Sequence, residues 1–131
     1  MIQQRFIELG EGYSDIYELF ELMSTNTHRI FKSYILAFKD GENEKLSLAV
    51  SFTPATADSN FMPIYVCREG IKLTAKKPSK RYDLFMEHAQ SLNIQPVRVE
   101  VKHSSQFAEK ELYYQYIIGI LRLNHLLPPL H

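Results

Sequence analysis

The sequence of 131 residues holds one cysteine, Cys67, and no tryptophan. A lone thiol cannot close an internal disulfide, so the chain does not read as a stapled secreted domain. Glycine and proline are few, five and six, which excludes collagen-like and low-complexity chains. No hydrophobic run is long. The most apolar stretch, Tyr113 to Leu127, is interrupted by Gln115, Arg122, Asn124 and His125, and it falls short of the ~20 apolar residues of a membrane span. The opening Met1-Ile2-Gln3-Gln4-Arg5-Phe6 has no apolar run behind Arg5, so a signal peptide is not expected and the location expected is cytoplasmic. Net charge is absent too, 15 basic residues standing against 15 acidic. That removes bulk basicity, the simplest argument for a nucleic-acid or membrane partner, and neither is expected.

What is present describes one globular domain. The chain is 45% hydrophobic and 23% charged, and a chain near the usual domain length of ~100–150 residues buries enough surface for a core without staples. No linker or internal repeat interrupts it, so residues 1–131 are expected to form a single domain.

Residues 2–9 read as a short strand, broken by Gly10-Glu11-Gly12, where glycine permits a turn. Ser14 or Asp15 can cap a helix, with Glu18 placed as in a capping box, and Ile16, Leu19, Phe20 and Met23 repeat at helical spacing. Residues 28–39 predict a central strand, with Ile30, Tyr34, Leu36 and Phe38 on one face and Phe31, Ile35 and Ala37 on the other. A polar hairpin loop of moderate length over 40–44 leads to alternation over 45–53, with Leu46, Leu48, Val50 and Phe52 inward. A third strand spans 61–68, and Pro63 marks an edge or bulge at its start. After a basic, irregular stretch, Ser79 caps a second helix with the stripe Tyr82, Phe85, Met86, Ala89 and Leu92. Residues 96–102 alternate Val97, Val99 and Val101 with polar residues, a strand with one buried face. Ser104 or Ser105 opens a third helix, which runs to Leu126 and is stopped by Pro128-Pro129. The order β-α-β-β-β-α-β-α predicts an α+β domain: a mixed, mostly antiparallel sheet of five strands with three helices packed on it, covering both faces.

The balanced net charge conceals an uneven layout. Residues 1–25 carry a net −4, and residues 68–81 carry a net +5 from Arg68, Lys72, Lys76, Lys77, Lys80 and Arg81 against Glu69. The basic block is a candidate site for an anionic ligand or partner, because Lys80 and Arg81 fall in the first turn of a helix, where unpaired N–H groups attract anions. The alternatives are a solvated loop, or a block that pairs with the acidic N-terminal helix inside the fold.

Other motifs are thin. The Gly10-to-Ser14 turn lacks phosphate-loop spacing, and Glu11 and Asp15 would repel a phosphate. The five histidines, His28, His88, His103, His125 and His131, show no ligand spacing with one another or with Cys67, so neither metal nor cofactor is expected. His103 stands beside Ser104 and Ser105, a nucleophile–base pair on paper, although a cap or loop role suits sequence neighbours better. Cys67 follows Ile64-Tyr65-Val66 in a strand, the setting of a small buried hydrophobe.

From residue 13 to 102 the order α-β-β-β-α-β resembles the core of restriction-endonuclease-like nucleases. That likeness implies an acid on one strand and a Glu-x-Lys on the next, holding a metal. The strand that should carry the pair reads Ile64-Tyr65-Val66-Cys67-Arg68, and Glu100-Val101-Lys102 sits on the last strand instead. The final helix is apolar around most of its circumference, through residues that include Tyr113, Tyr114, Ile117, Ile118 and Leu121. A small sheet covers one side of such a helix, so a homodimer through these residues is expected.

The opening Phe6-Ile7-Glu8-Leu9-Gly10-Glu11-Gly12-Tyr13-Ser14-Asp15-Ile16-Tyr17-Glu18-Leu19 and the chain length resemble a family of short, uncharacterised proteins from Bacillus-type bacteria. Some members carry the label methylthioribose kinase. That label implies a nucleotide-binding lobe, a catalytic Asp-Asn pair and a metal-binding Asp in a far longer chain, and none of these is legible here. The function expected is a small, bacterial, non-catalytic binding or accessory protein that engages an anionic ligand through the basic block. The alternative is a divergent metal-dependent nuclease or phosphoesterase.

Overall fold

A computed structural model describes residues 3–9, 14–74 and 79–128, with the backbone alone described for Ser14, Asp15, Asp40 and Gly70. The chain runs β1 (Gln3–Glu8), α1 (Ser14–Thr25), β2 (Ile30–Asp40), β3 (Asn43–Phe52), β4 (Phe61–Leu73), α2 (Lys80–Ser91), β5 (Val97–Glu100) and α3 (Lys110–Leu123), with short 3-10 turns at Thr27–Arg29 and Ser104–Gln106. This is the α+β order and the mixed five-stranded sheet with three helices that the pattern implies. The sheet order is β1-β4-β3-β2-β5. The two antiparallel pairings of the meander, β2 with β3 and β3 with β4, are the longest, while β1 pairs β4 and β5 pairs β2 in parallel. Only β3 therefore runs against the other four strands, and the carboxyl ends of β1, β4, β2 and β5 gather at one end.

Side chains of a strand alternate between faces, so a two-sided sheet needs two covers. One face buries Phe6, Tyr34, Leu36, Ile64 and Val66 under Tyr113, Tyr114, Ile117, Ile118 and Leu121 of α3. The other buries Ile35, Leu46, Leu48, Val50, Phe52 and Cys67 under Ile16, Leu19 and Met23 of α1 and Phe85 and Ala89 of α2. Ser79 caps α2 as expected, accepting from the Tyr82 backbone N–H. The turn expected at residues 10–12, the capping side chains of Ser14 and Asp15, and Pro129 lie outside the described residues.

The elements differ in detail from expectation, each time for a local reason. A bulge adds one residue to β2 between Ile30 and Lys32. Parity reverses across it, so Ile30 joins the cluster of Ile35 and Ala37, and Phe31 is left 37% exposed. The hairpin between β2 and β3 is tighter than a moderate loop, since Asp40 already pairs with Asn43 and Gly41 takes a φ of +64° that favours glycine. The third helix begins later: His103 caps a 3-10 turn by accepting from the Ser105 N–H, and α3 starts at Lys110. It also ends earlier, at Leu123, because His125 adopts φ +59° and the Leu126 N–H reaches back to the Leu121 carbonyl, the closure of a Schellman motif.

Most of the stretch expected to be irregular is strand. β4 continues to Leu73, and its pairing with β3 jumps between Leu48↔Cys67 and Leu46↔Ile71. The extra residues form a bulge at 68–70 with Glu69 at φ +49°, and its N–H donates to Ser47 Oγ at 2.8 Å. Pro63 lies where β4 has β1 on one side and no β3 partner on the other, so its missing N–H leaves no ladder bond unmade.

Candidate functional site

Open α/β sheets place ligands at the carboxyl ends of their parallel strands. In this molecule that end, on the α3 face, is where polar side chains converge. Glu8, the last residue of β1, receives the Tyr114 hydroxyl, Lys110 Nζ at 3.2 Å and Arg68 Nε at 3.0 Å. Burial raises the Glu8 carboxyl, but the hydrogen bonds from Tyr114 and Lys110 and the Arg68 charge outweigh it, and the net shift is downward. The −4 and +5 segments therefore meet at Glu8 and Arg68.

Beside this cluster, the β4 bulge carries Glu69 toward the 3-10 turn that precedes α3. Ser104 Oγ donates to Glu69 Oε1, and His103 Nε2 contacts Glu69 Oε2. The other ring nitrogen, His103 Nδ1, lies 2.7 Å from Ser105 Oγ. The His103 ring also packs on Phe38 of β2, 4.9 Å between centroids. The residues that sequence spacing left as a cap thus stand in a chain with a carboxylate 34 positions earlier, brought close by the bulge.

The basic block does not form one loop. Arg68 and Lys72 lie along β4, whereas Lys80 and Arg81 open α2, which covers the opposite face. Lys76 and Lys77 lie outside the described residues. Lys72 is set directly opposite Lys45 of β3, and Lys45 is opposite Phe38 of β2. Because Leu46 and Ile71 point into the α1–α2 cluster, Lys45 and Lys72 project to the α3 face. Among the described residues neither has an ion-pair partner. Lys45 is a member of this group that the sequence reading missed; its signal, a lysine in cross-strand register with Lys72, exists only once the strands are paired.

The residues expected at a dimer interface are placed otherwise. Tyr113, Tyr114, Ile117, Ile118 and Leu121 are all buried within their own subunit, because α3 lays that face on the sheet. Its outward surface keeps Leu112 and Leu123, 47% and 81% exposed. The residues weighed for a nuclease do not converge: Glu100 pairs with Lys39 at 3.4 Å on the surface, Arg98 pairs with Glu44, and the Lys102 ammonium lies over the Tyr116 ring. Among the described residues, no group of three or more His, Cys, Asp and Glu could hold a metal ion, and no helix is long and apolar enough to cross a membrane.

A family model described as a domain of unknown function (DUF7147) matches residues 1–127. No curated protein and no solved structure matches the chain.

Proposed function

We propose that this chain, which belongs to the DUF7147 family, is a small binding or accessory protein that takes an anionic group at the carboxyl end of its sheet. The observation that supports this reading is the direct opposition of Lys45 and Lys72 across β3 and β4. Like charges facing each other on adjacent strands are destabilising. A fold that keeps such a pair, with no ion pair to either lysine among the described residues, is complementary to a ligand that supplies negative charge. Arg68 and Lys110 add to the same field, since the two of them share the single charge of Glu8.

The ligand class is a carboxylate or phosphate bearing about two negative charges, and inorganic phosphate and pyrophosphate serve as probes. Saturable pyrophosphate binding is expected, weakened at least tenfold by Lys72→Ala. The same substitution in phosphate-free buffer is expected to raise stability by about 0.5 kcal/mol, because it relieves the repulsion. Calorimetric titration and urea unfolding read the two halves. Pyrophosphate binding that ignores the charge at both Lys45 and Lys72 would remove this reading.

In this reading the protein is cytoplasmic and bacterial, as its lack of a disulfide pair and its resemblance suggest, and it acts as a homodimer. The two subunits meet on the outer ridge of α3, with Leu112 and Leu123 in place of the five core residues. Light scattering at micromolar concentration is expected to give twice 15.3 kDa, and Leu123→Lys to give the single mass. A wild-type chain that scatters as the single mass overturns the dimer.

A further inference from the structure

We infer that Ser105 is a nucleophile for acyl transfer, with His103 as its general base and Glu69 as the residue that positions the base. Three observations carry this independently of the lysine pair. His103 Nδ1 accepts the Ser105 N–H at 3.1 Å, which puts the proton of the neutral ring on Nε2, beside the Glu69 carboxylate, and the same Nδ1 lies 2.7 Å from Ser105 Oγ. Ser105 is exposed, whereas the side chains of Glu69 and His103 are only 16% and 19% exposed, so the base is partly sheltered and the hydroxyl is open to solvent. Glu69 is itself held from two sides: Ser104 donates to its other carboxylate oxygen, and its backbone, at φ +49°, is tied through its N–H to Ser47. A non-glycine residue held in the left-handed region has a conformational cost that the surrounding structure must offset.

An acid, an imidazole and a hydroxyl in this order form the constellation that activates a serine, recognised by geometry rather than by chain position. Here the base faces the serine through Nδ1, and the acid lies beside Nε2. The substrate class is an ester open enough to reach a surface hydroxyl. Ser105 Oγ bonds to the acyl carbon while its proton passes to Nδ1, and Nδ1 returns that proton to the departing alkoxide as the ester C–O bond breaks. Water then attacks the acyl-serine, giving one proton to Nδ1, and Nδ1 returns it to Ser105 Oγ as the acid leaves. The balance is ester plus water to acid plus alcohol.

The same contacts also make His103 a cap, since its Nδ1 accepts the Ser105 N–H at 3.1 Å. The test therefore separates cap from base. The intact chain is incubated with a neutral alkyl fluorophosphonate, which bonds to an activated serine with loss of fluoride. One adduct is expected, mapped to Ser105 and absent from Ser105→Ala. His103→Asn keeps an acceptor near the Nδ1 position and so preserves the cap, but it cannot take the proton. It is expected to fold as the parent does by circular dichroism and to label about 100-fold more slowly. Glu69→Gln is expected to slow labelling and to shift the His103 ring nitrogen resonances away from the Nε2–H tautomer, whereas Glu69→Asp restores part of both. No adduct on Ser105, or equal labelling of the folded His103→Asn variant, would show an ordinary cap and overturn the inference.

Discussion

Replacing Tyr34 by alanine is expected to lower folding stability by about 4 kcal/mol, the usual range for removing a large aromatic from a core. Tyr34 is fully buried on the α3 face of β2, an interior strand between β3 and β5. Its hydroxyl lies 2.8 Å from Ser51 Oγ on β3 and donates to the Leu126 carbonyl at 2.7 Å. One side chain thus ties together two strands and the turn that closes α3, 92 positions away. Tyr34→Phe keeps the packing and removes the hydroxyl, which leaves the buried Ser51 with one partner fewer and the Leu126 carbonyl without its donor. That loss is expected to be about 1–2 kcal/mol. Urea midpoints read both, the alanine variant falling by roughly 2 M. A phenylalanine variant as stable as the parent would show that the hydroxyl chain contributes nothing and that Tyr34 acts through its ring alone.

Tyr34 also shows which parts of the fold were legible beforehand. Its period-two neighbours, with apolar residues on both faces, already required a strand covered on both sides, and β2 lies inside the sheet between β3 and β5 with both faces buried. Alternation and helical spacing are local, and every element they imply is present in order. What they cannot carry is parity across an irregularity. Ile30 and Phe31 swap environments because one bulged residue intervenes, and nothing in Ile30-Phe31-Lys32 marks it. The length of β4 was hidden for a similar reason. Arg68 and Lys72 read as a loop by their charge, yet their backbone has β3 as a partner, and pairing rather than polarity decides strand length. At the end of α3, a histidine takes the left-handed position usually given to glycine, so the stop signal was invisible and the downstream prolines drew the boundary too late.

The site was less legible than the fold, and the difference is one of sequence distance. Glu8, Arg68 and Lys110 lie on three different elements, β1, β4 and α3, and Glu69 and His103 lie on opposite sides of α2 and β5 in the chain. A charge count saw −4 and +5 without showing that Glu8 and Arg68 would meet, or that the basic block would divide between two faces. The apolar circumference of α3 was read correctly as a need for burial, but the cover was misassigned. Its five large side chains are covered by the sheet, and the partly buried Phe107 and Leu126 flank them, so the domain itself meets most of the demand that implied a second subunit.

The second large effect is alkaline. Raising the pH from 9 to 11 is expected to cost about 4 kcal/mol of stability, because three tyrosines resist ionising only while folded. Burial is the leading cause for each of them. Tyr34 is pushed well above the ordinary phenol value by desolvation, against a smaller opposing hydrogen bond from Ser51. Tyr113 is pushed up to about 12 by burial and then by the Glu69 charge. Tyr114 is raised further still, because it is buried and its hydroxyl also donates to the negative Glu8. The sign follows from which state holds the proton. Each folded phenol has a pKa above its unfolded value near 10, so its contribution is complete below that pH and is lost as the pH rises through it. At pH 11 an unfolded tyrosine is mostly phenolate, and holding one proton costs about 1.4 kcal/mol per residue. Urea unfolding at pH 9, 10 and 11 measures the loss, with phenolate absorbance followed alongside. Tyr34→Phe serves as the internal control, because lysines titrate over the same range: it should start less stable at pH 9 yet lose about one third less by pH 11. Phenolate absorbance from all three tyrosines in the folded chain at pH 10 would refute the account. So would a phenylalanine variant whose loss equals that of the parent, because the alkaline sensitivity would then belong to other groups.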